Sequence, residues 1–221
     1  MRCYDVDIVI FDCDSTLSTT EGIDELARRA GVFDQLAPLT MAAMEGKIKL
    51  DEVYKQRLDA IRPKRADVEW LARCYLDNIV ADADIVVANL QLAGKQVHIV
   101  SGGIRQAVLP LARHLKIPES QVHAVDIHFT PDGEYSGYDE TSPLSKSGGK
   151  KIICTRIIGK QYNAVMIGDG ITDLEAAQER VHFIGFGGVF RRSIVEKIAE
   201  DYIIDPTLLP VLERLIQKRG R

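Results

Sequence analysis

Three apolar segments of this 221-residue chain each end in a polar or glycine-rich turn, and this arrangement constrains the fold more than any other feature. The segments and the turns that follow them are residues 6–11 with Asp12-Cys13-Asp14, residues 97–100 with Ser101-Gly102-Gly103, and residues 164–167 with Gly168-Asp169-Gly170. Ligands in open α/β sheets lie at the carboxyl ends of the strands, so three such ends predict one convergent site. Helical patterns alternate with the later segments, which predicts a parallel sheet with right-handed crossovers.

No strand pattern occurs between residue 19 and about residue 82. Four helical patterns fill this stretch, the first with Leu26 and Ala27 on its apolar face and the last with Leu71 and Tyr75. A purely helical insertion after the first strand predicts a separate small domain. We therefore expect an α/β fold in which residues 1–17 and 82–221 form a Rossmann-like three-layer α/β/α core, and residues 18–81 form an all-helical domain.

A β-hairpin is predicted over residues 125–138. Val125, Ile127 and Phe129 alternate with polar residues, the Pro-Asp-Gly sequence at 131–133 is typical of a turn, and residues 134–138 form the returning strand.

Charge and composition exclude several classes of protein. The net charge is −4 and the pI about 5.8, which gives no nucleic-acid footprint. No apolar run approaches the ~18 residues of a membrane span. The first strand is predicted to begin almost at once, so we expect no signal peptide, and the four cysteines lack metal-like spacing. We expect a cytoplasmic monomer or homodimer that binds a small-molecule substrate, with no nucleic-acid or membrane partner.

Four aspartates follow two of the predicted strand ends: Asp12 and Asp14 the first, Asp169 and Asp173 the third. Like charges this close cannot all ionise without a cation. Oxygen ligands with no histidine or cysteine nearby suit Mg²⁺, which pairs naturally with phosphate. Taken singly, each aspartate is better explained as a turn or helix-cap residue. The four together favour a metal site.

Two further features suggest an anion site. Lys150 lies where a helix is predicted to begin, and a lysine there opposes the helix dipole unless an anion binds beside it. A solvated surface lysine is an equal alternative. Ser101-Gly102-Gly103 offers a hydroxyl and backbone N–H groups, which are phosphate-binding parts. Ser101 is less suited to be an acyl-transfer nucleophile, because the G-x-S-x-G turn is absent.

These residues, in this order, resemble the four-part signature of the haloacid dehalogenase-like phosphatases. The matching motifs are Asp12-x-Asp14-x-Thr16, Ser101, Lys150 and Gly168-Asp169-Gly170-x-x-Asp173. Further segments resemble the members of that family that hydrolyse phosphoserine, namely residues 21–26, 101–103, 133–135, 139–141, 147–150 and 183–188. The resemblance covers nearly the whole chain. It implies that the helical insertion, residues 18–81, is the family's substrate-specificity domain, here named the cap.

The resemblance implies a hydrolase with three catalytic residues: Asp12, Asp14 and Lys150. Asp12 would attack phosphorus and form an aspartyl-phosphate, which splits one difficult displacement into two easier ones. Asp14 would protonate the departing seryl oxygen and then activate water, for which its pKa must be raised. Lys150 would stabilise the phosphoryl group electrostatically.

The family pattern also implies the ligands of a Mg²⁺ cofactor. These are the Asp12 carboxylate, the Asp14 backbone carbonyl and Asp169. Asp173 would orient metal-bound water, and capping its own helix is an alternative role.

Substrate recognition is implied to come largely from the cap. Glu21 would meet an ammonium group, Arg57 a carboxylate, and Met44 would close over the substrate. Without the resemblance, Glu21 and Arg57 would be better explained as a helix-start acid and a solvated helix face. The remaining implied substrate-binding residues are Ser101, Gly102, Gly103 and Thr172. The expected reaction is hydrolysis of O-phospho-L-serine to serine and phosphate, the last step of serine biosynthesis.

Three alternatives remain at this point. A phosphotransferase that passes the phosphoryl group from phosphoserine to homoserine would use the same residues. A receiver-type signalling module also uses a phosphorylated aspartate, Mg²⁺, a hydroxyl residue and a lysine, but it has no acidic residue two places after the nucleophile and no helical cap. A catalytically silent phospho-amino-acid binder would not need every catalytic position intact.

Overall fold

The computed structural model describes residues 3–216, so the predicted core bounds at residues 1 and 221 lie outside it. Six strands form one sheet in the order β3-β2-β1-β6-β7-β8, and every neighbouring pair is parallel. The strands are β1 (Ile8–Phe11), β2 (Gln96–Ile104), β3 (Val122–Val125), β4 (Ile127–Phe129), β5 (Tyr135–Tyr138), β6 (Ala164–Gly168), β7 (Val181–Phe186) and β8 (Tyr202–Ile203). The predicted Rossmann-like core is confirmed.

The central strands are apolar throughout because both of their faces are covered. Every residue of β1 and of β6 is buried, and β1 lies between β2 and β6. Crossover helices supply the cover together with a helix that follows β8. The helix bounds are α5 (Ala83–Leu92), α6 (Arg105–His114), α7 (Gly149–Ile158), α8 (Ile171–Leu174), α9 (Ser193–Ile198) and, after β8, α10 (Leu209–Leu215). The aligned carboxyl ends of β1, β2 and β6 therefore share one edge of the sheet.

Four helices fill the insertion after β1, as the sequence predicts. They are α1 (Gly22–Arg29), α2 (Phe33–Met44), α3 (Leu50–Ile61) and α4 (Arg65–Asp77). The chain enters and leaves this insertion side by side, because Thr19 N donates to Asn78 O (2.8 Å) and Val80 N donates to Leu17 O (3.0 Å). Helix α4 packs against α6 of the core.

Two local expectations differ from the structure. Val125 belongs to β3, an edge strand of the main sheet, and the hairpin consists of β4 and β5 alone. Residues 101–103 are not a turn that follows β2 but lie within it, where the register with β3 shifts between Val100 and Ile104. Such an irregularity re-aims side chains at the end of a strand.

None of the helices within residues 3–216 combines the length and the apolar composition that a bilayer crossing requires.

Candidate active site

Asp12 is fixed at the carboxyl end of the central strand. Its backbone N–H donates to Ile167 O of β6 at 2.9 Å, which continues the sheet ladder one residue beyond β1. Its carboxylate oxygen Oδ1 accepts from the Cys13 N–H at 2.8 Å and lies 2.8 Å from the Lys150 ammonium. The side chain is buried. A carboxylate held in this way is oriented before any ligand arrives.

A tight turn after Asp14 brings the second carboxylate to the same place. The backbone N–H groups of residues 16, 17 and 18 all donate to Cys13 O, at 3.0 to 3.3 Å, and Ser15 adopts a left-handed φ of 51° between them. The Ser15 hydroxyl donates to Glu21 Oε1 at 3.0 Å. This turn therefore also places Glu21 beside the two aspartates.

Asp14 is surrounded by neutral hydrogen-bond donors. Its Oδ1 accepts from the Gly22 N–H at 2.6 Å and from the Tyr75 hydroxyl at 2.8 Å. Burial, followed by the charge of Asp12, raises the pKa of Asp14 to about 6, although the two hydrogen bonds oppose this shift. A carboxyl with a pKa close to the working pH can both give and take a proton.

Lys150 is a buried residue in the first turn of α7, so the alternative of a solvated surface lysine is wrong. Its ammonium lies 2.8 Å from Asp12 Oδ1 and 2.6 Å from Asp173 Oδ1. Burial alone would lower the pKa of Lys150, but these two carboxylates raise it well above its usual range. Lys150 is therefore a permanent positive charge between two carboxylates.

Asp169 and Asp173 follow β6, and both are buried. Asp173 Oδ2 accepts from the Gly170 N–H at 3.0 Å and so caps α8, while its Oδ1 contacts Lys150. Burial and the charge of Asp12 raise the pKa of Asp169 to about 6, against the opposing charge of Arg192. The same two causes raise the pKa of Asp173 to about 8. At both positions, burial and the neighbouring Asp12 carboxylate therefore disfavour the ionised form.

The donor set fits a divalent metal ion. One carboxylate oxygen from each of Asp12, Asp169 and Asp173 lies within 4.8 Å of the other two. The donors are all oxygens, as hard divalent cations prefer. The Asp14 carboxylate is not part of this cluster, and its Oδ1 accepts from Gly22 and Tyr75 instead.

Arg192 is a site residue that the sequence did not reveal. Its Nε donates to Asp169 Oδ2 at 2.6 Å, and its Nη2 lies 3.7 Å from Glu21 Oε1. The guanidinium also stacks over the Phe190 ring at 4.6 Å. Nothing in the sequence separates this buried arginine from the exposed Arg191 beside it.

The predicted substrate-binding residues line one cavity of about 70 Å³ between the cap helices and the sheet edge. Arg57 is buried there; its Nη1 donates to Thr40 Oγ1 at 3.3 Å, and its Nε has no partner among the described residues. Ser101 Oγ accepts from the Gly103 N–H at 2.9 Å. The sequence-predicted residues that line the cavity are Asp12, Asp14, Glu21, Met44, Arg57, Ser101, Gly102, Gly103, Lys150 and Thr172.

Two buried tyrosines from the cap also line this cavity. Tyr54 donates to Gly102 O at 2.9 Å, and Tyr75 donates to Asp14 as described above. The sequence pattern correctly placed Tyr75 on the buried face of its helix, but periodicity does not show where a hydroxyl points.

Known proteins are similar to this chain in sequence and fold. The haloacid dehalogenase-like hydrolase family model matches residues 6–179. The phosphoserine phosphatase of Bos taurus is 40% identical over 203 residues, covering 90% of this chain and 89% of that protein. The Homo sapiens phosphoserine phosphatase is 39% identical over 206 residues, 91% of each chain. A solved structure described as a phospho-aspartyl intermediate analogue of phosphoserine phosphatase has a TM-score of 0.79 at 25% identity, over 96% of this chain and 100% of that one. This chain belongs to the haloacid dehalogenase-like hydrolase family.

Proposed function

We propose that this chain is a phosphoserine phosphatase, a phosphoric monoester hydrolase that cleaves O-phospho-L-serine to L-serine and phosphate in the last step of serine biosynthesis. One observation carries the proposal: a single cavity is lined both by groups suited to a phosphate and by the opposite charges that an amino acid needs. The groups suited to a phosphate are Asp12 and Lys150, with Asp169 and Asp173 next to them. The opposite charges are those of Glu21 and Arg57. The identity to phosphoserine phosphatases supports the same substrate.

Asp12 is the nucleophile in this proposal. One of its carboxylate oxygens forms a bond to phosphorus while the bond from phosphorus to the seryl oxygen breaks, which leaves an aspartyl-phosphate. Lys150 and the Cys13 N–H hold the carboxylate in place, so the reacting atoms need little further ordering. Lys150 also lies beside the charge that develops on the phosphoryl oxygens.

Asp14 moves the protons. It gives a proton to the seryl oxygen as that oxygen leaves, and the resulting carboxylate then takes a proton from the water that hydrolyses the aspartyl-phosphate. Its pKa of about 6 suits both steps near neutral pH. A receiver-type module holds its phosphoryl group because it lacks such a residue.

Mg²⁺ is the proposed cofactor, and the all-oxygen ligand set is of the kind that it binds. Asp12, Asp169 and the Asp14 backbone carbonyl would bind it, and Asp173 would orient its water ligands from beside Lys150. When bound, Mg²⁺ supplies positive charge that neutralises the phosphoryl oxygens.

The cap, residues 18–81, supplies the specificity. Glu21 receives the substrate ammonium, Arg57 binds the carboxylate through its planar guanidinium, and Met44 covers the apolar part. The buried, unpartnered Nε of Arg57 supports this assignment, because a buried donor without a partner is costly unless a ligand satisfies it. The phosphoryl group is held by Ser101, Gly102, Gly103 and Thr172.

The test measures phosphate release from phosphorylated amino acids and sugars, with and without Mg²⁺. Phosphoserine should be the best substrate, EDTA should abolish turnover, and Asp12→Asn should lower kcat by at least about 1,000-fold while the chain stays folded. Similar rates on sugar phosphates would contradict the assigned substrate, and turnover near wild type in D12N would contradict the assigned nucleophile.

A second assay separates hydrolysis from phosphoryl transfer. Homoserine is added to the reaction with phosphoserine, and the products are resolved by phosphorus NMR. Inorganic phosphate alone is expected. Accumulation of phosphohomoserine would show a phosphotransferase instead.

A further inference from the structure

Tyr75 of the cap forms a hydrogen bond with Asp14, the residue to which we assign proton transfer. It lies on α4 of the cap, is fully buried, and donates its hydroxyl hydrogen to Asp14 Oδ1 at 2.8 Å. A phenol is protonated near neutral pH, so the Tyr75 hydroxyl can act as this donor. The Gly22 N–H donates to the same oxygen at 2.6 Å.

Two glycines leave the space that this contact occupies. A Cβ atom on Gly22 would overlap the Tyr75 hydroxyl. A Cβ atom on Gly103 would lie 3.0 Å from Asp14 Oδ2, 3.1 Å from Ser101 Oγ and 3.5 Å from the Tyr75 hydroxyl. Asp14 Oδ2 therefore faces the Ser101–Gly103 segment, where the phosphoryl group is proposed to bind, while Oδ1 faces the cap.

Two donors on one carboxyl oxygen decide where that carboxyl carries its own proton. Oδ1 already accepts an N–H and an O–H. Because an amide N–H can only donate, a hydrogen placed on Oδ1 would break the contact with Gly22 and turn the Tyr75 hydroxyl away. The acidic hydrogen of Asp14 therefore resides on Oδ2, on the side of the leaving group.

We propose that Tyr75 is a positioning residue for proton transfer. By occupying Oδ1 of Asp14, the Tyr75 hydroxyl keeps the acidic hydrogen on Oδ2, from which it passes to the seryl oxygen. The inference rests on the proposed function. In the step concerned, an Asp12 oxygen bonds to phosphorus, the bond from phosphorus to the seryl oxygen breaks, and the Oδ2 hydrogen passes to that oxygen. Neutral serine hydroxyl and an Asp14 carboxylate result, so charge and atoms balance.

The dependence of the rate on the leaving group tests this role, because a tyrosine that only stabilised the fold would affect all leaving groups equally. Serine leaves as an alkoxide unless it is protonated, whereas the p-nitrophenolate of p-nitrophenyl phosphate leaves without a proton. Single-turnover formation of the aspartyl-phosphate is measured with both substrates at saturating concentration. For Tyr75→Phe we expect the phosphoserine rate to fall about 10- to 100-fold and the p-nitrophenyl phosphate rate to fall less than about threefold.

Tyr54→Phe is the matched control, because it removes the other buried cap hydroxyl of the same cavity, which donates to Gly102 O. It should change the rates on both substrates by the same factor. The ratio of the two rates does not depend on the fraction of folded protein, so partial unfolding of Y75F does not obscure the result.

The outcomes separate the two proposals. A wild-type chain that transfers phosphate from p-nitrophenyl phosphate but not from phosphoserine contradicts the proposed function. A wild-type chain that accepts both, with a Y75F variant whose two rates are unchanged or fall equally, contradicts the role of Tyr75 alone.

Discussion

At the scale of single residues, Arg191 and Arg192 are neighbours that the fold places in opposite surroundings. The Arg192 side chain is 4% exposed and contacts Asp169, whereas the Arg191 side chain is 58% exposed and pairs with Glu196. Removing one partner of a buried ion pair leaves an uncompensated charge, but an exposed pair is screened by water. The two arginines should therefore differ greatly in what they contribute to stability.

Replacing each arginine by methionine tests this difference. We expect Arg192→Met to lower the free energy of unfolding by about 3 kcal/mol, because it strands the Asp169 charge. Arg191→Met should change it by less than about 1 kcal/mol. Urea titrations followed by circular dichroism, at pH 8 without Mg²⁺, measure both. Equal losses in the two variants would show that burial of the Arg192 pair has no energetic consequence.

The sequence located the residues whose chemistry follows from their position beside a strand. Asp12, Asp14 and Asp169 could be predicted because the carboxyl ends of parallel strands share an edge. Arg192 and Tyr75 could not, because their roles depend on which way a side chain turns after distant segments pack. Tyr75 lies 61 residues from Asp14 along the chain.

At the scale of elements, the start of α7 positions Lys150. Gly149 is the first residue of α7, and a Cβ atom there would overlap the carbonyl oxygen of Pro143, a backbone atom in the 3-10 turn Pro143–Ser145. A backbone atom cannot rotate aside as a side chain can. The absence of a side chain at Gly149 thus allows α7 to begin close enough for Lys150 to reach Asp12.

We expect Gly149→Ala to displace the first turn of α7 and lower kcat by at least about 10-fold, since a shift of about 1 Å can cost about 100-fold. Gly94→Ala is the control. Gly94 has a φ of 79° with open space around it, near the amino end of β2 and so away from the site. It should cost about 1 kcal/mol of stability and leave kcat unchanged. Steady-state kinetics measure kcat, and thermal melts measure the stability of both variants. A wild-type kcat in G149A would contradict the proposed role of Gly149 in placing α7.

Periodicity predicted the elements well where one pattern dominated. The apolar strands, the helical insertion and the β4–β5 hairpin all follow from it. It failed at Val125 because a four-residue strand at the edge of a sheet has the same alternation as a hairpin arm. It also missed that residues 101–103 stay within β2, since glycines in a strand give the same signal as glycines in a turn.

At the scale of the whole molecule, the folded chain concentrates acidic groups in one region. Asp12, Asp14, Asp169 and Asp173 lie together there, with Lys150 in contact with Asp12 and Asp173, and Arg192 in contact with Asp169. The pKa values of Asp14 and Asp169 rise to about 6, and that of Asp173 to about 8. The unfolded chain would release these protons near pH ~4.

Folding is therefore linked to pH and to metal. Between pH ~4 and pH 8 the folded, metal-free chain holds protons that the unfolded chain has lost, so its free energy of unfolding should fall as pH rises. Mg²⁺ should reverse this loss. At a fixed concentration of 100 times the Kd that holds at pH 8, it should add about 2 to 3 kcal/mol at pH 8 and less at pH 5, where protons compete for the carboxylates. Calorimetry at both pH values measures the gain.

Asp169→Asn is the control for this measurement, because it removes one of the three clustered carboxylates. The variant should lose most of the stabilisation by Mg²⁺ at pH 8. A gain that is equal at the two pH values, or that persists in D169N, would mean that Mg²⁺ acts elsewhere on the chain.

The pairing of residues 17–19 with residues 78–80 has a consequence for how such enzymes diversify. Both ends of the helical insertion leave the core side by side. Because the two ends are already adjacent, an insertion of different sequence and length could replace this one without displacing β1, the strand that precedes Asp12. Exchange of the insertion could thus bring new substrates to this scaffold while Asp12, Lys150 and Asp169 stay on the core, provided that the new insertion again supplies donors to Asp14.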